Sequence, residues 1–331
     1  MYISLCVIAY NEEDYINSIL EDIKQQDYNH QDMELVLVDS ASTDKTRELM
    51  QDFLNKNDTE FRKLSLLDNP KRTLPCGWNV ALKAYEGEAI LKVDAHATIP
   101  KDFVSKNVAL LKAGEDVCGG RRPTIIKEGT NWQDTLLLAE NSMFGSSIAS
   151  FRNNPGKTYV KSIFHGAYKR KVFDKIGGFN ENLTRTEDNE IHYRIRKAGF
   201  KIAFDPEIVS YQYIRSSLPK MLKQKYANGY WIGKTLRVCP GCLSLYHFVP
   251  FAFVMAILVS SLLCIFTKLS VIYMLTGLMW GAYIALALLM AVMAVVGADK
   301  KSRHLSAILL PVLFFLLHVS YGLGTLKSIF R

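Results

Sequence analysis

The chain has 331 residues, 49% of them hydrophobic, and a formal net charge of +8; that length holds one large domain or two ordinary ones. The charge is uneven: residues 1–207 carry 28 basic and 31 acidic side chains, whereas residues 208–331 carry 12 basic and 1 acidic. The positive excess therefore lies beside long apolar runs, which points away from nucleic acid and toward a membrane surface.

In chain order, ISLCVIAY (3–10) is a short apolar, β-branched run, the pattern of a strand buried on both faces. MYISLCVIAYNEE has no basic leader and turns acidic, so it reads as that strand and not as a signal peptide. Residues 11–26 follow with Ile16, Ile19, Leu20 and Ile23 at helical spacing, and their early acids suit a helix N-terminus. ELVLVD (34–39) is the next strand, and 42–57 the next helix, with Ser42 or Thr43 as its expected cap. A strand near Lys63–Leu67, a helix over Gly77–Tyr85 and the strand AILKVD (89–94) complete the alternation. Strands separated by helices imply an α/β fold with right-handed crossovers and a mostly parallel sheet.

The C-terminal third differs. Residues 213–237 hold Arg215, Lys220, Lys223, Lys225, Lys234 and Arg237 among Tyr226, Tyr230 and Trp231, a composition suited to anionic headgroups and the aqueous interface. The runs 247–266 and 269–298 contain no Asp, Glu, Lys or Arg and are long enough to cross a ~30 Å hydrocarbon layer. The run 305–326 qualifies by length but carries Pro311, His318, Gly322 and Gly324, so two or three transmembrane helices are expected. The basic loop ADKKSRH (298–304) favours the cytoplasmic side, and two spans before it place the N-terminal half there as well. Cys239-Pro-Gly-Cys242 has redox or zinc spacing without a second ligand pair, and reads as a turn.

In open α/β sheets, ligands bind beyond the carboxyl ends of the strands. Those ends here are Tyr10-Asn11-Glu12, Asp39-Ser40, Asp68-Asn69 and Asp94-Ala95-His96, each with a carboxylate or amide. No G-x-G-x-x-G follows the first strand and no G-x-x-x-x-G-K-S/T occurs, which removes two phosphate-cradling loops. A divalent cation is the usual alternative. Asp94 and His96 offer two ligands one residue apart, and carboxylate plus imidazole suits Mn2+ somewhat better than Mg2+.

The order CVIAYNEE, VLVDSASTDKT, NPKRTLPCGWNVALKAYEGEAILKVDAH and GGFNENLTRTEDNEIHYRIRKAGFKI resembles the family-2 glycosyltransferases over about residues 3–210. The D-A-H variant with a C-terminal membrane segment looks like their succinoglycan-biosynthesis branch. The resemblance implies a GT-A fold, a nucleotide-diphospho-sugar donor and inversion at the anomeric carbon. It places Asp39 at the nucleobase, with Tyr10 and Glu12 lining that pocket, and Arg72 and Asn79 beside the donor. Asp94 and His96 fall where a D-x-D pair holds ribose, metal (Mn2+ or Mg2+) and diphosphate. Thr186-Glu187-Asp188 matches the motif whose final carboxylate is the general base; Asp188 is the first choice and Glu187 the second. His165-Gly166 and Gly177-Gly178-Phe179 match the acceptor-side loop, and Trp231 belongs to the interfacial segment on that side.

Processive members such as cellulose synthases carry Q-x-x-R-W, and the stretch from Gln224 to Trp231 lacks that spacing. The expected protein is therefore a multi-pass cell-membrane enzyme with a GT-A domain over 1–212, a basic interfacial segment over 213–246 and a membrane region over 247–331. It adds one sugar to a lipid-linked (polyprenyl) saccharide in exopolysaccharide, capsule or similar envelope assembly. Anionic lipids are expected partners and nucleic acid is not. A processive synthase and a non-catalytic nucleotide-sugar-binding scaffold are the alternatives.

Overall fold

A computed structural model describes residues 1–126, 129–145 and 156–330. Two compact units emerge: Met1–Pro123 with Ala149–Tyr213, and Thr124–Ile148 with Ile214–Arg331. The second unit takes in a segment from inside the N-terminal half, a grouping that reading the chain in order does not suggest.

The first unit is built on β1 (Ile3–Ala9), β2 (Met33–Asp39), β3 (Lys63–Asp68) and β4 (Ala89–Asp94), with helices α1 (Ile16–Lys24), α2 (Thr46–Lys56) and α3 (Leu74–Ala84) between them. After β5 (Ala97–Thr98) and α4 (Phe103–Lys112) come β6 (Val117–Arg121) and, in the second unit, β7 (Thr124–Ile125) and α5 (Asn131–Asn141). The first unit resumes with β8 (Thr158–Tyr159), β9 (Gly166–Lys169), α6 (Arg170–Ile176), α7 (Glu187–Lys197), β10 (Ile202–Val209) and β11 (Tyr211–Tyr213). Its main sheet has the order β3-β2-β1-β4-β9-β6-β10-β8. β1, β2, β3 and β4 pair in parallel, with β3 at the edge; β9 is antiparallel to both β4 and β6. Every residue of β1 and β2 is buried, because helices cover both faces.

Side-chain alternation then sorts β4. Leu91 and Val93 enter the core on one face with Leu5, Leu35 and Ile19. Ile90 enters the other with Cys6, Ile8, Trp78, Tyr168 and Ile191. By parity Lys92 and Asp94 share the second face, the one on which α7 packs through Ile191 and Ile195.

Two local expectations are corrected. α1 starts at Ile16, not near Asn11: Asn11 is left-handed (φ 52°), and its amide donates to Ser42 Oγ at 3.1 Å while its Oδ1 accepts from the Thr43 amide at 2.8 Å. Ser42 and Thr43 therefore do not cap α2, which begins at Thr46 with Asp44 Oδ1 accepting from the Thr46 amide. Polar side chains short enough to cap a helix serve here to tie the β1 loop to the β2 loop.

The second unit contains α5, α8 (Leu218–Val238), α9 (Val249–Thr267), α10 (Ser270–Val296) and α11 (Leu310–Ile329). Three of its stretches, Leu245–Thr267, Ser270–Val296 and Leu305–Ile329, are long and apolar enough to cross a membrane. Thr130 and Gln133 close a capping box at the start of α5. Leu136, Met221, Ala287, Ala291, Leu313 and Phe314 form the core of this unit. Beside them Lys225 Nζ meets Glu140 Oε2 at 2.8 Å, both side chains being largely buried. Pro240–Cys242 forms a single turn of 3₁₀ helix, and Cys239 and Cys242 are not joined in a disulfide.

Candidate active site

The site lies on the first unit, at the carboxyl ends of the parallel strands. Tyr10 immediately follows β1 and is 44% exposed, while Glu12 turns inward and its Oε1 meets His96 Nδ1 at 3.0 Å. A carboxylate on one ring nitrogen orients a histidine for ligand binding through the other. Asp39, 3% exposed at the end of β2, accepts from the Ser42 amide and lies 3.5 Å from Arg47 Nη1. The same guanidinium pairs closely with Asp68 at the end of β3, so Arg47 holds two strand ends together. Arg72, exposed and left-handed (φ 61°), stands in the turn after β3, where its amide donates to the Asn69 carbonyl.

Asp94 ends β4. Its amide donates to His165 Nε2 at 3.3 Å, and His165 Nδ1 meets Ser210 Oγ at 2.8 Å. Burial opposes ionisation of Asp94, yet His165, His96 and Lys92 around it hold the carboxyl well below the usual range. Burial also pushes His165 down, against the pull of Asp94. Among the described residues no three His, Cys, Asp or Glu side chains converge as a metal-ligating group. The residues present fit an open site nonetheless: an ionised Asp94 and a carboxylate-oriented His96 are two ligands, and hard divalent cations commonly take the rest from substrate phosphates.

Opposite Asp94 stands the start of α7. Thr186 is left-handed (φ 71°), which turns the chain so that Glu187, Asp188 and Glu190 fill the first helical turn. The positive end of the helix favours acids there, but Asp188 does more than cap: its Oδ1 accepts from Lys92 Nζ at 2.6 Å. Lys92 is 3% exposed and sits over the Trp78 and Phe164 rings, 5.3 and 5.6 Å from their centroids. Burial disfavours its charge, and Asp188, Asp94 and Glu187 outweigh that, so its pKa is raised. Glu187 is 5% exposed with Oε2 unpartnered; burial and the neighbouring Asp188 raise it to about 8. The cluster thus groups three carboxyls around one buried lysine, whose charge is supported by Asp188, while Glu187 is pushed toward its neutral form.

Of the remaining expected residues, Asn79, Gly178 and Gly166 serve the framework of the first unit, and Trp231 lies outside that unit. Asn79 Oδ1 accepts from the Phe179 amide at 2.7 Å, and its Nδ2 donates to the Phe179 carbonyl and to Glu181 Oε1. Its amide is thereby committed to holding the 178–181 loop. A Cβ on Gly178 would meet Asn79 Oδ1 at 2.3 Å, so a side chain there would displace the Asn79 amide from these bonds. Gly166 is buried inside the sheet, where a Cβ would meet Ile163 Cδ1 at 2.2 Å and the Cys118 carbonyl at 2.6 Å. Trp231 lies on α8 of the second unit. Sequence reasoning missed Lys92 and Arg47. The signal for Lys92 was present: a lysine inside an apolar parallel strand, on the face of Asp94, needs a buried counter-charge.

A mostly parallel sheet with ionised and amide side chains gathered beyond its carboxyl ends, flanked by an acidic helix start, is the GT-A architecture of glycosyltransferases. The chain belongs to Glycosyl transferase family 2, whose model matches residues 4–177. It is 28% identical over 334 residues, all of this chain and 98% of the relative, to the dolichyl N-acetyl-alpha-D-glucosaminyl phosphate 3-beta-D-2,3-diacetamido-2,3-dideoxy-beta-D-glucuronosyltransferase of Methanococcus voltae. It is 27% identical to the succinoglycan biosynthesis protein ExoA of Rhizobium meliloti, covering 68% of each chain. In fold it is similar to the mannosyltransferase PcManGT of Pyrobaculum calidifontis, solved in complex with GDP-Man and Mn2+, at a TM-score of 0.62 and 19% identity over 98% of this chain and 87% of that one.

Proposed function

We propose that this glycosyltransferase moves a single sugar, with inversion, from a nucleotide-diphospho-sugar to a lipid-linked saccharide in envelope or exopolysaccharide assembly, its catalytic unit on the cytoplasmic face of the cell membrane. The observation that carries the chemistry is the Lys92–Asp188 pair on the same sheet face as Asp94. Asp188 accepts the proton of the acceptor hydroxyl as that oxygen attacks the anomeric carbon. The bond from that carbon to the diphosphate oxygen breaks, and the nucleoside diphosphate leaves. Lys92 holds the Asp188 carboxylate in place for that transfer. Tyr10, Glu12 and Asp39 bind the nucleoside end, and the exposed Arg72 meets the diphosphate. Asp94 with His96 would hold a divalent cation, Mn2+ or Mg2+, which supplies charge neutralisation to the leaving diphosphate when bound.

The relatives' acceptors support the lipid-linked reading. The Methanococcus voltae relative is named for a dolichyl-phosphate-linked sugar. A Proteus mirabilis relative, 29% identical over 55% of this chain, is an undecaprenyl-phosphate 4-deoxy-4-formamido-L-arabinose transferase. The apolar helices would confine the enzyme to the plane of such an acceptor, with Trp231 and the exposed Lys220, Lys223 and Arg237 of the basic, aromatic stretch 213–237 facing anionic headgroups and the acceptor's phosphates; Lys225 of that stretch is instead buried against Glu140.

The test is nucleoside diphosphate release by detergent-purified enzyme across a panel of sugar donors, with membrane lipid extract and Mn2+. Turnover of one donor that depends on the extract supports the reading. Polymer formation from donor alone would replace it with a processive synthase, and donor binding without turnover in any extract with a scaffold.

A further inference from the structure

Three helices have the composition of membrane spans, but their surroundings differ. In α9 and α10 most side chains face outward, among them Leu262, Ile265, Phe266, Leu278, Leu289 and Val292. In α11 only Val312, Leu323 and Lys327 are exposed. The protein itself covers more of α11, 39% of its span-length stretch being buried against 6% in each of the other two.

The contacts say where α11 lies. α9 and α10 form an antiparallel hairpin: Phe253 stacks on Tyr283 at 4.3 Å, and Cys264 Sγ meets Thr276 Oγ1 at 3.4 Å nearer the turn. Among the described residues, the contacts of α11 with that hairpin lie toward its open end. Ala287 and Ala291 share its core cluster, His318 Nδ1 meets the Tyr283 hydroxyl at 3.0 Å, and a Cβ on Gly322 would fall 2.4 Å from the Pro250 carbonyl and 2.5 Å from Val254. Phe315 reaches Trp280 and Phe253. Were α11 a third antiparallel span, residues 320–329 would run toward the turn at Lys268; they run instead along α8.

That second seam is parallel and close. A Cβ on Gly229 would lie 2.0 Å from the Tyr321 carbonyl, one on Gly233 would lie 2.7 Å from Ser328 Cβ, and one on Gly324 would lie 2.1 Å from the Tyr226 carbonyl. Thr325 Oγ1 donates to the Gly229 carbonyl at 3.0 Å, and Arg237 Nη2 donates to the carbonyls of Ser328 and Ile329. Small residues at such spacing let two helix backbones approach, whatever the solvent. α11 cannot enter the hydrocarbon without α8, which carries Lys220, Lys223, Lys225, Lys234 and Arg237, and charged side chains are expelled from that layer.

We propose that α11 does not cross the bilayer: with α8 it forms a two-helix raft on the membrane surface, so that the exposed Lys220, Lys223, Arg237 and Lys327 meet anionic headgroup phosphates. The C-terminus then stays on the same side as the 298–304 loop. The proposal rests on the reading that α9 and α10 cross.

Single cysteines placed at the exposed Lys268, Lys301 and Phe330, in full-length enzyme with Cys239, Cys242 and Cys264 changed to Ser, distinguish the arrangements. Intact cells are treated with a membrane-impermeant maleimide before and after permeabilisation, and each variant is first shown to retain turnover. The expected result is labelling of Lys268→Cys in intact cells, with Lys301→Cys and Phe330→Cys labelled only after permeabilisation. Labelling of both Lys268→Cys and Phe330→Cys in intact cells, with Lys301→Cys protected, overturns the raft and makes α11 a third span. Protection of Lys268→Cys in intact cells removes the spanning hairpin itself, and the raft's topology with it.

Discussion

Two buried lysine–carboxylate pairs stand in the two units, and their geometry is nearly the same: Lys92 to Asp188 at 2.6 Å, and Lys225 to Glu140 at 2.8 Å, with side-chain exposures of 3% and 16% against 7% and 12%. Their neighbourhoods differ. Lys92 is surrounded by further ionisable groups, Asp94 and Glu187, at the carboxyl edge of a sheet. Lys225 and Glu140 sit beside the apolar cluster of Leu136, Met221, Leu313 and Phe314. An ion pair by itself does not mark a catalytic centre; a cluster of ionisable groups with shifted pKa values at the edge of a sheet is a candidate for one. The first pair lies among the groups proposed above for the chemistry, and the second ties α5 to α8.

The largest effect that can break this contrast is on turnover. Asp188→Asn keeps the shape and a hydrogen-bond acceptor for Lys92 but removes the base and the negative half of a buried ion pair; steady-state rates are expected to fall by ~10²–10⁴-fold, with donor binding retained and the melting midpoint lowered. Equal activity in that variant would move the base to Glu187. In the second unit the expectation reverses. Lys225→Met leaves Glu140 buried without its cation and should destabilise by about 3–5 kcal/mol in a denaturant titration, with activity per folded molecule unchanged. Replacing both partners, Lys225→Met with Glu140→Leu, should recover most of that loss, because no uncompensated charge remains.

A smaller effect sharpens the first pair. Because Glu187 is raised to about 8 by burial and by Asp188, the folded state binds its proton more tightly than the unfolded chain, where the ordinary value is 4.5. Its contribution is fully present below about pH 4.5 and is lost as pH rises through about 8, a matter of a few kcal/mol by linkage. Thermal melts from pH 5 to pH 9 should show this decline in the wild type and a flatter profile in Glu187→Gln. Least of all, Asn79→Ala removes three hydrogen bonds to Phe179 and Glu181. It should cost roughly 1–3 kcal/mol, read as a lower melting midpoint, with the 178–181 loop becoming sensitive to proteolysis.

Much of the site was legible in the sequence because strands of a parallel sheet end together. Once ISLCVIAY, ELVLVD and AILKVD are recognised as buried strands, Tyr10, Asp39 and Asp94 must fall at one edge, and the His96–Glu12 contact follows from two adjacent strands ending in register. Asn79 was placed beside the donor by the family resemblance alone. Its side chain is occupied by a loop one hundred residues away, which no local pattern reveals. The membrane region shows the same limit. Length and hydropathy admit all three helices as spans, and Pro311, His318, Gly322 and Gly324 only mark the last as different; packing shows the difference, two helices being 6% buried and the third 39%.

What the sequence by itself determined is whatever depends on periodicity and on chain order: the parallel sheet, the carboxylates at its edge, the acidic start of α7, and the apolar length of the C-terminal helices. Tertiary structure alone decided which charges meet. Lys92 and Asp188 are 96 residues apart, and Lys225 and Glu140 are 85 apart. A buried charge takes whatever counter-charge the fold delivers to within 3 Å, and that delivery is a property of packed elements rather than of any stretch of chain.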